Sequence, residues 1–350
     1  MRVVLFCENK YALDILYPLY EYAQKQGMPA LWYIHAPKID ESQFPWRETA
    51  SYTTSIQAVY DFNPEVIYVP GNIVPYYLPG VKVQVFHGYA AEKKDHWVIR
   101  RYFDLYLTQG PYFTKKFTQL AQKYGDFEVV ETGWPKQDWI KQHFHSFDQE
   151  REALLKEKGK KGIVLYAPTF SPSLTSLPFL KEALLDLART KDIVLLFKFH
   201  PLTKQEWVKE YKELAHQEPN IVWASDNNVS KYQLMSDVMI SDTSSTVYEF
   251  LLLNRPVVTL RSIAKDIYWT DFQEPQQLKE AIHKALTDPE AKERRKWIVD
   301  NYDPYLDGKV CQRMYQAVQD YINRNGVPPK RNLNLWRKYT SIKTFGWIKK

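Results

Sequence analysis

Cysteine is scarce: Cys7 and Cys311 are the two thiols in 350 residues. Two cannot build a disulfide framework or a cysteine-based zinc site, and they suit a reducing compartment. No apolar run approaches the ~20 residues needed to span a bilayer. The start, Met-Arg followed by the apolar stretch Val3 to Cys7, is too short for a signal peptide. A cytoplasmic location is expected. No Asp-x-Asp pattern, zinc spacing, internal repeat or low-complexity tract occurs, so no metal site is expected.

Basic charge is also missing from most of the chain. The net charge is +6, yet the segment from Arg324 to Lys350 carries eight Lys or Arg residues and no acid. Removing those eight from +6 leaves the body at −2. Without an RNA-binding signature, that balance argues against a nucleic-acid partner. Aromatic residues, by contrast, are plentiful, with 25 Tyr, 17 Phe and 11 Trp. Their large apolar area marks them chiefly as core material.

The length exceeds what one hydrophobic core usually serves. Short β-rich runs alternate with helical stretches, the pattern of parallel sheets wrapped by helices. In the first half strands are predicted at Val3–Phe6, Ala30–Ile34, Val66–Val69, Val83–Phe86, Leu105–Thr108 and Glu128–Glu131. A charged stretch from Gln149 to Gly162 then reads as a linker. A second alternation follows, with strands at Ile163–Tyr166, Ile193–Phe199, Ile221–Ala224, Val238–Ser241 and Val257–Leu260. The expectation is an α/β chain of two Rossmann-like, doubly wound domains facing across a cleft. Residues 1–148 form the first domain, 149–325 the second, and 326–350 a basic, aromatic tail. Ligands of such sheets bind beyond the carboxyl ends of the strands.

Four strand ends carry groups suited to a phosphate-rich ligand. In Phe86-His87-Gly88, an imidazole leaves an apolar strand beside a glycine and can accept a proton from an attacking hydroxyl. In Tyr166-Ala167-Pro168-Thr169, a hydroxyl closes a strand. In Lys198-Phe199-His200-Pro201, strand alternation puts Lys198 and His200 on one side, where they could steady a diphosphate leaving group. In Ser241-Asp242-Thr243-Ser244-Ser245-Thr246, hydroxyl residues close a strand and open a helix. Helix starts attract anions, and Ser and Thr add donors. Glu249, one turn in, could reach a ribose hydroxyl. Each segment also has a plain structural reading, such as a capped helix or a strand-end turn.

In this order, the four segments together with Gly133-Trp134-Pro135-Lys136-Gln137-Asp138 resemble the CDP-glycerol glycerophosphotransferase family, which builds wall teichoic acid and related surface polymers. Where that family often has Thr-Pro after the His-Gly pair, Tyr89-Ala90 stand here. The resemblance implies a GT-B-like fold with the nucleotide donor held mainly by the second domain. It implies His87 as the general base on the acceptor hydroxyl and His200 at the donor diphosphate. Gly88, Thr169, Lys198 and Glu249 would line the substrate. Asp242, Thr243, Ser244 and Ser245 would match the segment holding donor phosphates and nucleotide. The implied chemistry is attack on the β-phosphorus with release of CMP and no required cofactor, a role for Mg²⁺ being left open.

The acceptors of that family are lipid-linked or polymeric, so a visit to the inner face of the cytoplasmic membrane is expected. The tail, which interleaves basic residues with Trp336, Tyr339, Phe345 and Trp347, could meet an anionic surface. The same tail could instead lie in a groove of the first domain. Two other functions fit the residues: a glycosyltransferase using a CMP-activated sugar such as Kdo or sialic acid, and a catalytically silent nucleotide-binding scaffold.

Overall fold

The computed structural model describes residues 1–89, 91, 94–226 and 228–349; Ala90 and the terminal Lys350 of the tail lie outside the described residues. The chain divides into two compact units, one made of Met1–Gln142 with Tyr302–Lys350 and the other of His143–Asn301.

The first unit holds strands β1 (Val3–Cys7), β2 (Ala30–Ile34), β3 (Tyr52–Thr53), β4 (Val66–Val69), β5 (Val81–Gln84), β6 (Leu105–Thr108) and β7 (Glu128–Glu131). They form one sheet in the order β3-β2-β1-β4-β5-β6-β7, parallel throughout. Val3 pairs with Ala30 on one side and with Val66 on the other, so the winding reverses between β1 and β4. Strands β1, β4 and β6 are buried along their whole length, which is why they read as largely apolar runs without alternation. The helix Pro111–Tyr124 shows how local chemistry sets its bounds. Proline stands at its start, and Gly125 ends it at φ +67°, a left-handed conformation open to glycine.

The second unit holds β8 (Gly162–Tyr166), β9 (Ile193–Phe197), β10 (Ile221–Trp223), β11 (Val238–Ser241), β12 (Val257–Leu260) and β13 (Thr270–Phe272). Its sheet, again parallel, runs β10-β9-β8-β11-β12-β13 and reverses between β8 and β11. Leu180, Leu184, Phe197, Tyr211, Ile240 and Val258 pack its core.

Three expectations are corrected. The predicted linker is a helix, Asp148–Lys158, ended by Gly159 at φ +62°. Its Glu, Leu, Ala and Lys residues are good helix formers, and charge alone does not make a linker. Residues 302–325 belong to the first unit, not the second. The helix Val310–Asn325 buries Val310, Cys311, Met314, Tyr315 and Val318. Tyr315 donates to the Leu19 carbonyl at 2.9 Å and stacks on Tyr22, both on the helix Ala12–Lys25. The tail is likewise not separate. Phe345 packs on Phe6 and His35, and Arg331 pairs with the buried Asp104 at 2.6 Å.

Candidate active site

In the first unit, His87 emerges where β5 stops. Phe86 at φ +59° and Gly88 at φ +148° flank it and turn the backbone off the sheet, leaving the imidazole exposed. Phe86 is not a glycine, so its left-handed backbone must be held in place by its surroundings. Trp134 Nε1 donates to the Phe86 carbonyl at 3.3 Å, and Gln109 Nε2 donates to that of Gly88 at 2.9 Å. The Phe86 ring lies against Phe117 and against His96. Burial, with the nearby His87 as a further cause, pushes His96 down to about 3, so that ring stays neutral.

The departure at Tyr89 now has a physical account. Its buried hydroxyl donates to Asp303 at 2.6 Å and accepts from Gln137 Nε2 at 3.1 Å. Asp303 also accepts the Trp134 backbone N–H at 2.9 Å, and burial pushes its carboxyl up to about 7. The Gly133-to-Asp138 segment is thus a buckle. Trp134 and Gln137 hold the His87 loop, and Asp138 accepts the backbone N–H groups of Val310 and Cys311 at 2.9 and 2.8 Å. Gly133, at φ +91°, has Val310 and Tyr305 within 3 Å of where a Cβ would stand.

The hydrogen bonds of His87 identify its basic nitrogen. Nδ1 lies 3.2 Å from the Pro70 carbonyl. A carbonyl can only accept, so Nδ1 carries the proton and Nε2 is the basic atom of the neutral ring.

In the second unit, β9, β8 and β11 are neighbours, so their carboxyl ends lie side by side at the usual spacing of roughly 5 Å per strand. This edge carries His200, Thr169 and residues Asp242 to Ser245. β9 ends at Phe197, two residues earlier than predicted, so strand alternation does not relate Lys198 to His200. Lys198 is buried, its ammonium donates to the Phe199 carbonyl at 3.3 Å, and desolvation lowers its pKa. His200 is exposed and stacks on Phe170 at 4.4 Å. Its Nδ1 accepts the Leu202 N–H at 3.1 Å, so Nε2 bears the proton. Partial burial and then the Lys198 charge lower its pKa and keep this ring neutral. The two histidines therefore hold opposite tautomers.

Asp242 points inward. One carboxylate oxygen accepts the Thr169 N–H at 2.9 Å, and the other accepts the Ser176 N–H and hydroxyl, both at 2.8 Å. It shapes the β8 turn and the start of the helix Leu177–Thr190. Ser241 donates to the Ala167 carbonyl at 2.7 Å, and Thr243 Oγ1 accepts the Ile263 N–H at 3.2 Å. Ser245 is exposed, while Ser244 and Glu249 are half-buried. The helix they open is Thr246–Leu251, only six residues long, which limits its dipole.

The structure thus gathers Thr169, Lys198, His200, Asp242, Thr243, Ser244, Ser245 and Glu249 in the second unit, while His87 and Gly88 belong to the first. Sequence reasoning missed Ser176, Gln109 and Asp303. None sits in a recognisable pattern, and each acts through a partner more than sixty residues away or, for Gln109, 21 residues away at Gly88. Among the described residues, no group of three or more His, Cys, Asp or Glu is arranged to hold a metal ion.

Two parallel sheets, each with polar side chains at its strand ends, define a GT-B-like α/β protein. The solved wall teichoic acid polymerase TagF has this fold, with a TM-score of 0.60 over 92% of this chain and 89% of that one, at 19% identity. Residues 79–320 match the family described as CDP-glycerol:poly(glycerophosphate) glycerophosphotransferase, and the chain belongs to it. It is 24% identical over 252 residues to the teichoic acid poly(glycerol phosphate) polymerase of Bacillus spizizenii, covering 68% of this chain and 59% of that protein. It is 31% identical over 213 residues to the Staphylococcus aureus ribitol-phosphate polymerase TarL, covering 53% of this chain and 36% of that protein. The chain therefore spans between about a third and three fifths of these relatives' lengths.

Proposed function

We propose that this protein transfers a polyol phosphate from a CDP-activated donor to a hydroxyl of a surface-polymer or lipid-linked acceptor. The acceptor oxygen attacks the β-phosphorus, the bond from that phosphorus to the bridging oxygen breaks, and CMP leaves. His87 Nε2 takes the hydroxyl proton. His200 Nε2–H donates to the diphosphate as charge builds on the leaving group, with Ser244 and Ser245 as further donors. Asp242 fixes the turn that presents Thr169. In this reading N–H and O–H groups, not a protein-held metal, meet the phosphate charge.

The observation that carries the reading is the pair of opposite tautomers. The Pro70 carbonyl makes Nε2 the acceptor nitrogen of His87, whereas the Leu202 amide makes Nε2–H the donor of His200. A base and an electrostatic stabiliser need those two states respectively.

We further propose that the protein meets the anionic inner face of the membrane through its tail. No described helix is long and apolar enough to cross a bilayer. In the helix Leu335–Phe345, Ser341 and Phe345 pack inward. Leu335, Trp336 and Tyr339 are 83%, 70% and 55% exposed, and the exposed Lys343 shares their face. An apolar stripe edged by lysine suits a lipid headgroup layer.

The test offers the protein CDP-glycerol, CDP-ribitol and CMP-sugars with a hydroxyl acceptor, and weighs the products. A product heavier by a polyol phosphate, with CMP released, is expected. His87→Ala should lower turnover by roughly 10²–10⁴ while the donor still protects the protein from unfolding. Transfer of a sugar, or undiminished turnover in His87→Ala, would overturn the reading.

A further inference from the structure

One charged pair in the first unit has no part in the chemistry described so far. Glu8 follows β1 directly and is only 7% exposed, and its Oε1 accepts from Lys38, which lies beyond the end of β2. Among the described residues no hydrogen bond reaches the other oxygen, Oε2. That oxygen lies against Gly71, just past the end of β4, where a Cβ would stand 2.6 Å from it. The missing side chain at Gly71 is what gives the carboxylate its place.

The position is informative. The winding of the first sheet reverses between β1 and β4, and parallel sheets take their ligands in the crevice at such a reversal. Glu8 and Gly71 stand at the carboxyl ends of those two strands. The crevice also adjoins His87: the Pro70 carbonyl accepts from His87 Nδ1, while the next residue, Gly71, bounds the Glu8 carboxylate. On the other flank the Tyr11 ring lies 5.5 Å from that of His87. One dipeptide thus separates a carboxylate–ammonium pair from the base.

Chemically the pair offers two complementary groups. Lys38 has three N–H donors, of which Glu8 takes one, and its side chain is 43% exposed. The ammonium suits a phosphodiester anion, and Glu8 Oε2 can accept from an alcohol. A polyol phosphate chain end presents both in neighbouring positions. We propose that Glu8 and Lys38 form the subsite that recognises the terminal polyol phosphate of the acceptor, setting its last hydroxyl before His87. The assignment rests on the polyol-phosphate transfer reading above.

The test uses the full chain with CDP-glycerol and a synthetic acceptor, made with and without a terminal glycerol phosphate. Lys38→Gln alters a half-exposed side chain and should fold. Gly71→Ala displaces the carboxylate without changing charge. Each should raise the acceptor KM about tenfold or more for the phosphate-bearing acceptor, the loss expected for one charge-assisted contact. The donor KM and the weak use of the phosphate-free acceptor should not change. Transfer with an unchanged acceptor KM in both variants would overturn the subsite and leave the transfer reading intact. Binding of glycerol 3-phosphate by calorimetry, without donor, separates the reverse case. If no CDP-polyol is a donor, yet this binding is lost in Lys38→Gln, the polyol-phosphate site stands and its role as an acceptor subsite falls with the transfer reading.

Discussion

Replacing Asp242 by alanine removes the acceptor for the Thr169 N–H, the Ser176 N–H and the Ser176 hydroxyl. The hydroxyl keeps a partner in Tyr166 at 2.9 Å, and the half-exposed Thr169 amide can turn to water. The Ser176 amide is buried and has no such exit. A stranded buried donor costs about 1–3 kcal/mol, and lost bonds to a carboxylate about 1.5–3 kcal/mol each. Part of this is offset, because desolvation already raises the Asp242 pKa above the ordinary range. The net loss should be about 2–4 kcal/mol, falling on residues 167–177 of the second unit. Asn at this position keeps one acceptor oxygen and should lose roughly half as much. A chain of two units need not unfold in one step, so hydrogen exchange of this segment is the better assay. Exchange at the Ser176 amide should quicken by roughly 10²-fold in Asp242→Ala, at 1.36 kcal/mol per decade. Unchanged exchange with a loss of donor affinity alone would refute the inward placement and return Asp242 to the ligand.

Asp138→Ala should cost about 1–2 kcal/mol by uncapping the helix Val310–Asn325, read as faster exchange over residues 310–316; unchanged exchange there would contradict the buckle. Asp303 gives a pH signature, because its folded pKa, about 7, lies above the unfolded carboxylate value. Its contribution is full below about pH 4 and is lost as pH rises through about 7, by up to about 4 kcal/mol. Asp303→Asn should flatten the denaturation midpoint across that window, and an identical slope would exclude the burial argument. In the tail, Trp336→Ser with Tyr339→Ser should weaken binding to anionic vesicles by about tenfold or more, and high salt should release the wild-type protein. Retention in high salt would remove the electrostatic part.

Most strands could be read locally because both sheets are parallel and buried on both faces, which leaves continuous apolar runs such as Val66–Val69 and Val238–Ser241. The edge strands β3 and β13, of two and three residues, leave no such run. β5 was misplaced by two residues because Phe86 looks apolar but takes a left-handed backbone. The hydroxyl-rich segment after β11 was visible as a composition, yet the inward turn of Asp242 depends on a partner at Ser176. The return of Val310–Asn325 to the first unit left no local trace either. Its amphipathic face shows that it packs, and only the distant Asp138 and Leu19 show against what.

Because that helix closes the first unit, the second is an uninterrupted insertion, His143–Asn301, between two parts of its neighbour. On the ribosome the inserted unit has its whole sequence available before the surrounding one does. The surrounding unit must wait for Asp138, made early, to receive Val310 and Cys311, made late. The order of synthesis is thus the reverse of the order of completion: the part begun first is finished last, and until then its apolar surface stays open to chaperones or to misassembly.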